Sequence, residues 1–200
     1  LQDMLGITPH TYEEAIEMPF VKIEQNQVIS SWKDYKFSSS YSQKDLNKYI
    51  KVPKYGCLHD HQNMKADDPD KALEKIWAIG GKNGWYYANT LWKIRGYVDK
   101  LAGGVGLRRG RTNPDKINPG DSLDFWRVLM ADKEEKRLLL FAEMRVPGEA
   151  WLEFFIDENN VVHQNATFRP KGLRGRLYWY SMLPFHFFIF NGMLTKICKV

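Results

Sequence analysis

Trp85, Tyr86, Tyr87 and Trp92 crowd together beside Gly80, Gly81 and Gly84. Broad, flat side chains with polar tips suit a shaped cavity for a small molecule when they stand next to residues that allow positive φ. The same four equally suit the packing of two helices on a sheet. Asp124 and Glu143 sit inside apolar, strand-like runs. A buried carboxylate needs a partner, and Arg108, Arg109, Arg127 and Arg145 are available. A structural ion pair, a ligand anchor and acid–base work are all open to these two carboxylates.

Other patterns exclude chemistry. Gly103-Gly104-Val105-Gly106 invites a dinucleotide reading, yet it follows a helix signal, and Arg109 stands where G-x-G-x-x-G needs its third glycine. A helix stop and turn explains it better. His59-x-His61 would put both imidazoles on one side of a strand, but no third metal ligand is visible in the sequence. No G-x-S-x-G or Cys/His nucleophile pattern is present. The candidate ligand-binding set is therefore Trp85, Tyr86, Tyr87, Trp92, Asp124, Trp126, Phe154, Phe168, Tyr180 and Phe187, with no catalytic and no metal-binding residue assigned.

With 200 residues, 44% hydrophobic and 26% charged, the chain has the composition of a folded protein with a real core. Cys57 and Cys198 lie far apart, which fits buried thiols in a reduced cytoplasmic setting. The chain starts at Leu1 without a signal-peptide pattern, and a piece of a longer protein is expected. The net charge of +5 is dispersed, with clusters at Arg108, Arg109, Arg111 and at Arg169, Lys171, Arg174, Arg176. Solvated loops and helix ends account for it more simply than an anionic partner, and no nucleic-acid partner is expected.

These residues need elements to position them. Residues 1–55 read as a separate segment: Thr11 and Glu14 open a short acidic helix that Pro19 interrupts, and Ser38–Ser42 form a loop or linker. Residues 57–66 are a first strand. Asp67-Asp68-Pro69 starts a helix that Gly80-Gly81 stops. A second helix, about 87–101, carries Leu91, Ile94, Val98 and Leu101 on its apolar face. Strands over 121–131, 137–146, 149–158 and 161–169 form an antiparallel meander, and a last helix runs from about Leu173 to Lys199. This is an α+β layout in which a curved sheet wraps the final helix.

Parity sets finer expectations. Leu138, Leu140, Ala142 and Met144 must share a face with Ala150, Leu152, Phe154 and Ile156, so a two-residue turn at Pro147-Gly148 is excluded. At Asn159-Asn160 a two-residue turn would bring His163, Asn165 and Thr167 inside, and a longer loop Gln164, Ala166 and Phe168. Hydrophobicity favours the second. Glu143 has the opposite parity to Leu140 and Ala142, so it belongs on the outer face, with Arg127 or Arg145 as partner and the worth of a surface salt bridge. In the C-terminal helix, the run Leu177–Phe190 is apolar apart from Ser181, Pro184 and His186. It is too short and broken to span a membrane and reads as a helix gripped by the sheet. Pro184 should kink it.

From about Cys57 to Ile197 the chain resembles a bacterial family known only as a domain of unknown function. The resemblance is carried by Ile79-Gly80-Gly81, Gly84-Trp85-Tyr86-Tyr87, Leu91-Trp92, Arg95-Gly96, Leu123-Asp124-Phe125-Trp126-Arg127-Val128, Ala142-Glu143-Met144, Ala150-Trp151-Leu152, Lys171-Gly172-Leu173, Tyr178-Trp179-Tyr180 and Leu183-Pro184-Phe185-His186. It implies a START/Bet v 1-like helix-grip fold over residues 56–200, at the C-terminus of an NAD(P)-binding short-chain-dehydrogenase-like protein. Residues 1–55 are similar to the tail of that dehydrogenase-like domain, at Thr11-Tyr12-Glu13-Glu14-Ala15 and Val28–Asp34. The resemblance places any NAD(P) in a preceding domain and none in this chain.

Two functions follow. One is a binding module for an apolar or amphipathic small molecule, held between the sheet and the last helix in a cavity of roughly 300 Å³ or more. The other is a polyketide-cyclase-like enzyme using Asp124, Glu143 or His163. The basic, aromatic C-terminus adds a weaker third, contact with a membrane surface or a protein.

Overall fold

The expected strand at residues 57–66 becomes the first strand of the sheet. In the computed structural model, which describes residues 50–101, 103–104, 106, 110–111 and 116–199, β1 spans Leu58–Lys65, with every second side chain half-buried. The expected helix at Thr11 and the arginines Arg108 and Arg109 lie outside the described residues. Helix α1, Pro69–Trp77, starts where its sequence says: Asp68 Oδ1 accepts from the amides of Asp70 and Lys71, each at 3.1 Å, and Pro69 follows the cap. Helix α2 spans Asn89–Leu101.

The face that α2 buries differs from the expected one. Trp92, Gly96 and Asp99 point inward, while Ile94, Val98 and Leu101 are half-exposed or more. Asp99 is the reason. Its carboxylate accepts from the amides of Gly106 and Arg145, both at 2.8 Å, so the polar residue rather than the leucine is drawn in. Gly103 and Gly104 end the helix through bonds to the carbonyls of Lys100 and Asp99.

The run 121–131 also differs from expectation. It is two strands, β2 (Ser122–Leu123) and β3 (Trp126–Asp132), folded back so that Leu123 pairs with Trp126. Asp124 takes φ 55° at the tip, a conformation that Asp tolerates better than branched residues do. Strands β4 (Arg137–Ala142), β5 (Gly148–Ile156) and β6 (Val161–Pro170) complete the meander. The six-stranded sheet is antiparallel throughout, in the order β1-β6-β5-β4-β3-β2, so the first strand lies beside the last.

Register follows parity. Leu138 pairs with Phe154 and Leu140 with Leu152, so the connection at Pro147-Gly148 is longer than two residues. Phe154 pairs with Gln164, Leu152 with Ala166 and Ala150 with Phe168, the arrangement that hydrophobicity favours. Asp157 fixes that turn, its Oδ1 accepting from the amides of Asn159 and Val161 at 2.9 Å.

Helix α3, Gly172–Cys198, contains Pro184 and buries Trp179, Ile189, Phe190, Met193, Leu194 and Ile197 in one cluster with Leu138, Leu140, Leu152 and Phe154. Each such fully buried side chain contributes on the order of 1.5–3 kcal/mol. No helix among the described residues is long and apolar enough to cross a membrane.

The other face of the sheet carries Leu129, Leu139, Phe141 and Trp151, with Ile50 and Val52 packed against them. Glu143 belongs to this outer face and pairs with Arg127, Nε to Oε1 3.1 Å and Nη2 to Oε2 3.3 Å. The partner is the expected one. The exposure is not: the two side chains are only 6% and 5% exposed, so this is a buried pair rather than a surface bridge. Removing the charge of Glu143 leaves a buried guanidinium without it. Glu143→Gln is therefore expected to cost about 3–5 kcal/mol in urea unfolding. A loss below about 1 kcal/mol would show that the pair behaves as an exposed one.

Candidate functional site

Between α2, α3 and the sheet lies a cavity of about 290 Å³, at the lower edge of the range typical of ligand pockets. Helix α2 supplies Leu91, Trp92, Ile94, Arg95 and Val98. The sheet and the β4–β5 connection supply Trp126, Met144, Val146, Ala150, Ala166, Thr167 and Phe168. Helix α3 closes it with Tyr178, Trp179, Met182, Phe185, His186, Ile189 and Phe190. Ile94, Val98 and Phe185 are each about half exposed and mark the side open to solvent.

The wall behind this cavity is aromatic. Trp85 stacks on Trp92 with centroids 4.9 Å apart and approaches Trp126 at 6.1 Å and Phe125 at 6.3 Å. Its indole Nε1–H donates to Asp124 Oδ2 at 2.9 Å. Burial pushes the Asp124 carboxyl above the usual carboxylate range, while bonds from Trp85 and the Gly81 amide pull it back. Gly80, at φ 84°, lies close against Leu123 and Asp124, where a Cβ would meet Leu123 Cδ1 at 2.6 Å. The glycines thus let the loop close over Asp124.

Of the residues singled out in the sequence, Trp92, Trp126 and Phe168 line the cavity. Trp85 and Asp124 belong to the wall behind. Tyr86, at φ 60°, donates its hydroxyl to the Lys75 carbonyl at 2.8 Å. Tyr87 packs edge-on against Phe188 and close to Gly192. Phe154 is fully buried core, and Tyr180 and Phe187 are mostly exposed. His163 sits on the far face of the sheet, between Asp157 Oδ2 at 3.0 Å and His61 Nε2 at 3.1 Å. No group of three or more His, Cys, Asp or Glu among the described residues is placed to hold a metal ion.

Arg95, Tyr178 and His186 are the polar lining residues that sequence reasoning passed over. The signal was present for Arg95, which follows Trp92 by one helical turn. Its guanidinium lies 5.5 Å over the Tyr178 ring. His186 stacks on Phe190 and meets Trp179 edge-on, with Nδ1 3.8 Å from Asp60 Oδ2. Trp92 Nε1, Trp126 Nε1, Arg95 Nη2 and His186 Nδ1 are all buried without a hydrogen-bond partner among the described residues.

Burial holds the His186 pKa below the ordinary histidine value, against the pull of Asp60 and with the help of Arg95. A depressed folded-state pKa means stability that is present above about pH 6.5 and lost as pH falls through the folded value. The melting temperature of His186→Phe is therefore expected to fall less than that of the parent protein between about pH 7.5 and 5. Equal falls would show that His186 is not held neutral by its surroundings.

No curated protein matches the chain. A protein-family profile matches residues 57–193, from the start of the sheet through most of α3. With more than half of its length matched, the chain belongs to the family described as a protein of unknown function, DUF2867.

Proposed function

We propose that this chain is a helix-grip module that binds an apolar or amphipathic small molecule between its sheet and its C-terminal helix. The observation that carries this reading is the cavity itself: about 290 Å³, walled almost wholly by apolar and aromatic side chains, with a few polar groups at fixed places. The helix-grip, START-like assignment is supported by the element order, with two helices between the first and second strands and a long last helix packed on the sheet. A polyketide-cyclase-like reaction has less support. Asp124 is engaged by Trp85, Glu143 by Arg127, and His163 by Asp157, and none of the three lines the cavity.

A short-chain-dehydrogenase-like neighbour carrying NAD(P), in the cytoplasm, completes the proposal, and that part rests on the sequence resemblance alone. One observation favours a further role for the surface. Leu173, Leu177, Tyr180, Phe187 and Phe188 are exposed along α3 beside exposed Arg174 and Arg176, which suits transient contact with a membrane surface or a protein.

The neutral fluorophore N-phenyl-1-naphthylamine tests the binding reading without invoking charge. One molecule is expected to bind with a Kd on the order of 10 μM, about −7 kcal/mol. Ala150→Phe, which fills the cavity, should abolish the signal while leaving the circular dichroism of the fold intact. Absence of binding, or binding unchanged by Ala150→Phe, would contradict the proposal.

A further inference from the structure

The charge on the cavity wall defines what the ligand must carry. Arg95, half-buried on α2, lines the cavity, and among the described residues its Nη2 has no hydrogen-bond partner. A guanidinium partly withdrawn from water without a counter-charge is unfavourable. It can only donate, and arginine keeps its charge at any ordinary pH.

Among the described residues nothing neutralises Arg95. The carboxylate best placed to do so, Asp99 one turn along α2, has its two oxygens on the amides of Gly106 and Arg145. Among the described residues no carboxylate comes within ion-pair distance of Arg95, and it is the only charged side chain lining the cavity.

We propose that the cavity selects apolar carboxylates, whose head group pairs with the guanidinium of Arg95 while the chain fills the apolar remainder. This rests on the binding reading above and names its ligand class. A carboxylate brings one negative charge to one positive charge, with lone pairs enough for several donors. A phosphate monoester, with a charge of about −1.5 to −2, would leave an uncompensated excess.

Decanoate, 1-decanol and decyl phosphate distinguish the sources, each titrated by calorimetry at about pH 7.5, where the carboxylate is ionised. Decanoate is expected to bind at least about tenfold more tightly than either of the others. Arg95→Met should weaken decanoate by about tenfold or more and leave 1-decanol unchanged. Equal binding of acid and alcohol, or decanoate binding insensitive to Arg95→Met, would overturn the inference. Tighter binding of decyl phosphate would overturn it in favour of a phosphate head group. If all three ligands fail while N-phenyl-1-naphthylamine binds, the carboxylate assignment falls and the apolar site stands. If the neutral probe fails as well, both fall.

Discussion

Everything in the cavity depends on the register of β4, β5 and β6. With Leu138 opposite Phe154, Leu152 opposite Ala166 and Ala150 opposite Phe168, the even-numbered residues of all three strands face α3. A one-residue slip would exchange that whole set for the opposite face, turning Glu153, His163 and Asn165 toward the helix. Asp157 guards against the slip by tying Asn159 and Val161 to its carboxylate at the β5–β6 turn. Small residues then matter as much as large ones. Ala150 and Ala166 sit on the facing surface where bulkier side chains would fill the space, and the cavity exists because they do not.

A second constraint sets the polar character of the same space. Asp99 anchors the end of α2 to the backbone at Gly106 and Arg145, and this fixes how the helix lies on the sheet. With Asp99 inward, Trp92 and Gly96 turn inward too, and Arg95 comes over Tyr178. Fold and site therefore share one buried carboxylate. The acid that an isolated helix would use to pair Arg95 is committed to loop geometry instead.

Much of the architecture was legible in the sequence because its signals are local or strictly periodic. Asp68-Pro69 marks a helix start, and the apolar runs Leu138–Ala142 and Ala150–Ile156 mark strands. The parity argument at Pro147-Gly148 needed only counting. Three features escaped because no local or periodic signal reports them. The run 121–131 holds no glycine or proline, so nothing in it announces the reversal at Asp124. Helix α2 shows an apolar stripe at Ile94, Val98 and Leu101, but the Asp99 bonds, made to a distant loop, outweigh it. Glu143 was placed on the correct face by parity, yet parity says nothing of burial, and Arg127 with Glu143 lies under cover. In the site, the tryptophans stood out by type. Arg95 did not, because an arginine on a helix is usually a solvated one, and only the geometry shows it without a carboxylate partner among the described residues.

The most direct test watches the indole protons themselves. Spectra of uniformly ¹⁵N-labelled protein resolve the seven tryptophan indoles, assigned by single Trp→Phe variants. On addition of decanoate, the Nε1–H signals of Trp92 and Trp126, whose rings line the cavity, are predicted to shift, while that of Trp85, which stands behind them bonded to Asp124, keeps its position or moves far less. Unchanged Trp92 and Trp126 signals in the presence of bound decanoate would contradict the account, because the ligand would then lie somewhere other than the cavity beneath α3.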